Sequence, residues 1–115
     1  MKRINHNQLL LDSEERKLLF FQISNEVLNG FQVSDFEREI GSSKEGLKTM
    51  FQTLRSIPCE NDVIIELEQA PIIRNALSLS LEELGTDEFQ TRIGFDFEWA
   101  QGILEEFNLL IPAAR

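Results

Sequence analysis

Tyrosine is absent from this chain, and histidine, cysteine and tryptophan each occur once. Covalent catalysis needs a nucleophile with a base beside it. Here a cysteine–histidine pair could be drawn only from Cys59 and His6. A lone cysteine closes no intrachain disulfide, which agrees with a reducing compartment. Metal-site spacings are missing as well: there is no Glu-x-x-His, no paired cysteine and no calcium loop with its ordered Asp, Asn and Gly. Six scattered glycines supply no phosphate-cradling loop. No apolar run is long enough to span a bilayer. The opening MKRINHNQLLLDSEE turns polar and acidic too soon for a secretion signal. These absences point to a cytoplasmic, non-enzymatic protein with no cofactor and no metal.

What the chain has in quantity is negative charge, and it is unevenly placed. The formal net charge is -9 over 115 residues. Residues 1–57 carry 8 basic and 8 acidic side chains, whereas residues 58–115 carry 3 basic and 12 acidic. An excess of that sign repels phosphate backbones and suits either a basic protein partner or a solvated acidic face. Adjacent carboxylates such as Glu82-Glu83 and Glu105-Glu106 are neighbours in sequence and do not stack on one helix face.

The chain also repeats itself. DFEREIG, from Asp35 to Gly41, returns as EFQTRIG, from Glu88 to Gly94, 53 positions later. Phe36, Ile40, Gly41 and Glu45 meet Phe89, Ile93, Gly94 and Glu98. Leu47, Met50, Phe51 and Leu54 fall on Ala100, Ile103, Leu104 and Phe107, a spacing that belongs to one face of a helix. Two copies of this length predict one pseudo-symmetric domain over residues 1–115, not an open array, with repeats over about 10–57 and 63–110.

Local signals fill in the elements. Ser13 with Glu14 and Glu15 starts a first helix that Gly30 closes. Ser34 or Asp35 caps a short helix holding Phe36 and Ile40, ended by Gly41. Ser42 to Glu45 reads as a capping box for a third helix that Pro58 stops. Val63, Ile64 and Ile65 predict a short strand, with a helix from Asp62 to Glu83 kinked at Pro71 as the alternative. Residues 8–12 and 63–67 would pair as a two-stranded ribbon. Pro71 opens a helix that Gly85 ends, Asp87 caps the second short helix, and Asp96 caps the last one. Gly102 inside that last helix suggests a close crossing. Phe95, Phe97 and Trp99 would plug the base of the core, exposure of one or more of them being the alternative.

VSDFEREIGSSKEGLKTMF resembles the helix-turn-helix motif through Phe36, Ile40, Gly41, Leu47 and Met50. It departs at Glu37 and Ser42, and the second copy departs at Gln90. A DNA reader would place Lys44, Lys48 and Arg55 of the first copy on phosphates, where the second copy has Phe97, Gln101 and Asn108. The composition therefore favours a mainly α, protein-binding module that regulates or neutralises a basic partner. Glu82, Glu83, Asp87 and Glu88 are its candidate contact residues. A nucleic-acid-binding regulator using Lys44, Lys48 and Arg55 is the alternative, and a cryptic enzyme the third.

Overall fold

The computed structural model describes residues 2–11, 13–58 and 60–111. Readings placed on Asp12, Cys59 and Pro112 lie outside the described residues. The fold is mainly helical with a small antiparallel sheet. Strands β1 (Lys2–Asn5) and β2 (Gln8–Leu11) precede α1 (Glu14–Asn25), which runs on into a π-helical turn at Glu26–Gly30. Then come α2 (Phe36–Ile40), α3 (Lys44–Ser56), β3 (Val63–Glu66), α4 (Ala70–Ile93) and α5 (Phe97–Leu110).

The sheet has the order β1-β2-β3. Leu9 faces Ile65, Leu10 faces Ile64 and Leu11 faces Val63. Alternation along the strands turns Leu9, Leu11, Val63 and Ile65 inward, each at most 4% exposed. The helical alternative for residues 62–83 is thus corrected, because β-branched residues flanked by turn formers pair here with β2. The ribbon is also wider than expected. β1 adds a third strand through a turn in which Asn5 Oδ1 accepts the Asn7 amide and Arg3 donates to the Asn5 and His6 carbonyls.

Caps set the helix starts. Ser13, Asp35, Ser43 and Asp96 accept backbone amides from Arg16, Arg38, Gly46 and Trp99. Ser43, not Ser42, caps α3; the Ser42 hydroxyl donates instead to the Ser43 carbonyl. Gly41 and Gly94 close their helices at φ 90 and 87, where a side chain would be strained.

Three further expectations are corrected and one holds. Gly30 does not close α1 in a left-handed turn: it is the last residue of the π-turn, and the Glu26 carboxylate occupies the space a Cβ would need. Gly85 does end the long first leg of α4, as expected, with non-helical backbone at φ 71, ψ -178, and a short second leg follows it to Ile93. Asp87 does not cap that second leg: Gly85 is the non-helical residue before it, so Asp87 already lies in its first turn. Gly102 is exposed, and a Cβ there would meet open space, so no helix of the described residues crosses it. Gly102→Ala should therefore stabilise the fold by about 0.5–1 kcal/mol, seen as a Tm rise of about 2–5 °C on thermal melting. A fall in Tm would mean that α5 is covered at that point.

One buried cluster takes residues from every long element, among them Leu9, Phe20, Leu47, Ile73, Phe89 and Phe107. Phe20 and Phe107 meet at 5.2 Å between ring centroids, joining α1 to α5. Ile40, Phe89 and Ile93 are buried, but Phe36 is only half-buried, with Lys44 Nζ 5.8 Å from its ring. Phe95, Phe97 and Trp99 are all partly buried against the core. Phe97 stands edge-on to Phe89, and Phe95 stacks on Trp99 at 5.1 Å.

Polar side chains tie the elements together at their ends. Lys17 of α1 is buried and donates to the Ile57 and Pro58 carbonyls just past α3. Asn75 of α4 donates to the Ile40 carbonyl at the end of α2. Arg92 pairs with Glu26 at 2.8 Å, and Arg16 with Glu106 at 3.0 Å.

Candidate functional site

Three surfaces of the described residues could meet a partner, and the first is the bend in α4. Glu82 and Glu83 precede Gly85, Asp87 and Glu88 follow it, and all four side chains are exposed. Among the described residues none of the four has a side-chain hydrogen-bond or ion-pair partner. Elsewhere carboxylates are used internally, as in Glu26 with Arg92, Asp35 with Arg38 and Glu106 with Arg16. The backbone conformation at Gly85 is one that essentially only glycine adopts. It redirects the second leg of α4 so that Phe89 and Ile93 enter the core while the acidic side chains stay in solvent.

The second surface is a cleft of about 350 Å³ beside α3. Lys44, Lys48 and Arg55, all exposed, line it together with Asn29 and the partly buried Leu28 and Phe51. The structure thus brings the three cations onto one wall, as their helical spacing requires. Phe51 is held there by stacking on Phe21 at 4.5 Å. Glu45 lines the same cleft and offsets part of its charge.

The third surface was missed by sequence reasoning. A cleft of about 340 Å³ lies between α3 and β3, lined also by Gln69 and Ile72 at the start of α4. Gly46, Thr49, Met50 and Thr53 form its helical wall. Their hydroxyls are turned back onto the helix, since Thr49 Oγ1 donates to the Glu45 carbonyl and Thr53 Oγ1 to the Thr49 carbonyl. The wall therefore presents methyl and methylene groups. Its signal was in the sequence as a second stripe of α3 at positions 46, 49, 50 and 53, but which element would face that stripe depended on where β3 packs.

Groups for chemistry are sparse. His6 is exposed in the turn between β1 and β2, and Cys59 lies outside the described residues. Among the described residues no cluster of three or more His, Cys, Asp or Glu could hold a metal ion, and no helix is long and apolar enough to cross a membrane. No protein-family model, no curated protein and no solved structure matches the chain.

Proposed function

We propose that this chain is a non-enzymatic, cytoplasmic protein-binding module that regulates or neutralises a partner with a basic surface. The observation that carries the reading is the set of four exposed carboxylates, without internal partners among the described residues, held on either side of the Gly85 bend. Unpaired charges at a fixed bend steer an oppositely charged surface without first breaking internal ion pairs.

The module would be one domain built from two related halves. The support is the shared order of strand, long helix, short helix and closing helix, with Gly41 and Gly94 taking nearly the same conformation, φ 90, ψ 14 and φ 87, ψ 13. A second reading, nucleic-acid binding, draws on the grouping of Lys44, Lys48 and Arg55 along one cleft.

Charge replacement separates the two. A partner recovered by cross-linking in the source cell should associate about tenfold more slowly with a variant carrying Glu82→Gln, Glu83→Gln, Asp87→Asn and Glu88→Gln, and added salt should slow the native protein likewise. Unchanged association rates would remove the acidic bend from the interface. For nucleic acid, a mobility-shift titration on mixed-sequence DNA at low salt is the direct test. Retention lost on replacing Lys44, Lys48 and Arg55, and strengthened by neutralising the bend, would put the second reading first.

A further inference from the structure

β3 is an edge strand, and its ladder leaves backbone groups open beside an apolar cleft. The phase of the ladder follows from the Leu67 amide, which reaches the Asn7 carbonyl at 2.6 Å. In an antiparallel pair such a bond lies one step beyond a non-bonded pair. Gln8 with Glu66 is then non-bonded, Leu9 with Ile65 exchanges bonds, and Leu10 with Ile64 is non-bonded again. Ile64 and Glu66 accordingly turn their amides and carbonyls to the open edge. Those of Glu66 are occupied, because its amide donates to Gln69 Oε1 at 3.2 Å and its carbonyl accepts from the Gln69 amide at 2.9 Å. Those of Ile64 have no partner among the described residues, and its side chain is 54% exposed.

The cleft described above lies along this edge. Val63, Ile64 and Ile65 all line it, although their side chains alternate across the sheet, which is possible where the space opens at the strand's margin. A visiting strand would gain ladder bonds at Ile64 and set its side chains against Met50, Thr53 and Ile72. Strand addition of this kind draws affinity from the backbone and selectivity from pockets for alternate side chains.

The rim decides the occupant. Asp62, Glu66 and Glu68 are exposed at the two ends of the edge. Pairing β3 with β3 of a second copy in antiparallel register would set Asp62 near Glu66 of its mate, like charge against like. A strand with aliphatic residues at alternate positions and Lys or Arg at its ends meets the rim with opposite charge.

We infer that the cleft between α3 and the open edge of β3 is a strand-addition site for an extended, basic-flanked aliphatic segment of a partner protein. It stands apart from the acidic bend: Gln69 and Glu82 are separated by roughly 20 Å along a helix.

The probe is a pool of peptides of the form Lys-Arg-X-Thr-X-Thr-X-Lys, with X drawn from Val, Ile and Leu, added to the intact, isotope-labelled chain. Hydrogen exchange at the Ile64 amide should slow about tenfold or more at saturation, with amide shifts at Gly46, Thr49 and Thr53. Ile64→Pro removes the free donor at a position where an edge strand tolerates proline, and should weaken binding about tenfold. Thr49→Arg, on the exposed wall, should weaken it comparably by filling the cleft and repelling the basic ends. Methylating the central peptide nitrogen should do the same with no change to the protein. Neutralising the bend should leave peptide affinity within about twofold, so loss of the proposed function and loss of this site are distinguishable. The inference is overturned if the pool leaves Ile64 exchange unchanged, or if the methylated peptides bind as well as their parents. It is overturned equally if Ile64 becomes protected with rising concentration of the chain alone, which would assign the edge to a second copy.

Discussion

Phe89→Ala is expected to lower the unfolding free energy by about 3–5 kcal/mol, whereas Phe36→Ala should cost only about 1–2 kcal/mol. The two residues occupy matching places in the repeated stretch, yet their surroundings differ. Phe89 is 0% exposed and meets Phe97 edge-on at 5.8 Å, so truncation removes its own transfer energy and leaves a cavity lined by an aromatic neighbour. Phe36 is half-buried, and solvent already reaches the space its ring would vacate. A domain of this size has total stability of the order of 5–15 kcal/mol, so the Phe89 variant should sit close to the unfolding threshold. Urea titration with a constant m-value would measure the difference. Equal losses would mean that the two short helices are packed alike and that Phe36 is deeper than described.

Lys17→Ala should be nearly as damaging, at about 2–4 kcal/mol. Lys17 is 4% exposed, and its ammonium donates to the Ile57 carbonyl at 2.6 Å and the Pro58 carbonyl at 2.5 Å. The Ile57 carbonyl lies where α3 has ended, the Pro58 carbonyl also accepts the Asn61 amide at 3.0 Å, and the negative end of the helix dipole favours a cation there. Removing the side chain leaves the acceptors without this donor and opens the space taken by its methylene stem. Lys17→Met keeps most of the stem but no donor. It should recover less than half of the loss, which separates packing from hydrogen bonding. A Met variant as stable as the native chain would show that the two bonds contribute nothing net.

Much of the helical order was legible because it rests on local signals. Ser13, Asp35 and Asp96 cap where their side chains allow it, Pro71 sits in a first turn, and Gly41 and Gly94 close helices with a backbone that penalises other residues. Signals failed where two neighbours were equally able, as with Ser42 and Ser43. They failed also where a tertiary contact chose the outcome. Gly30 became part of a π-turn whose Glu26 pairs with Arg92, more than sixty residues later. β1 was invisible because Lys2–Asn5 is polar and carries no alternation, its pairing coming from the turn that follows it. Charged candidates were easy to place on the surface, since ionised side chains stay in water. The β3 cleft was not, because it exists only between elements brought together by the fold.

The sheet has a consequence for the order in which the chain can assemble. Leu11 and Val63 pair across 52 positions, so the β2–β3 ladder is the kind of long-range contact that forms slowly. At ordinary synthesis rates β2 would wait about 3–10 s before β3 is made. Three consecutive leucines, Leu9 to Leu11, would stand ready during that time to pair with another chain. β1 can fold onto β2 at once through a two-residue turn, and it brings Lys2 and Arg3 to the outer edge. Pairing of β1 with β2 would thereby cover one edge of the leucine strand, leaving only the edge that β3 takes to wait for residue 66.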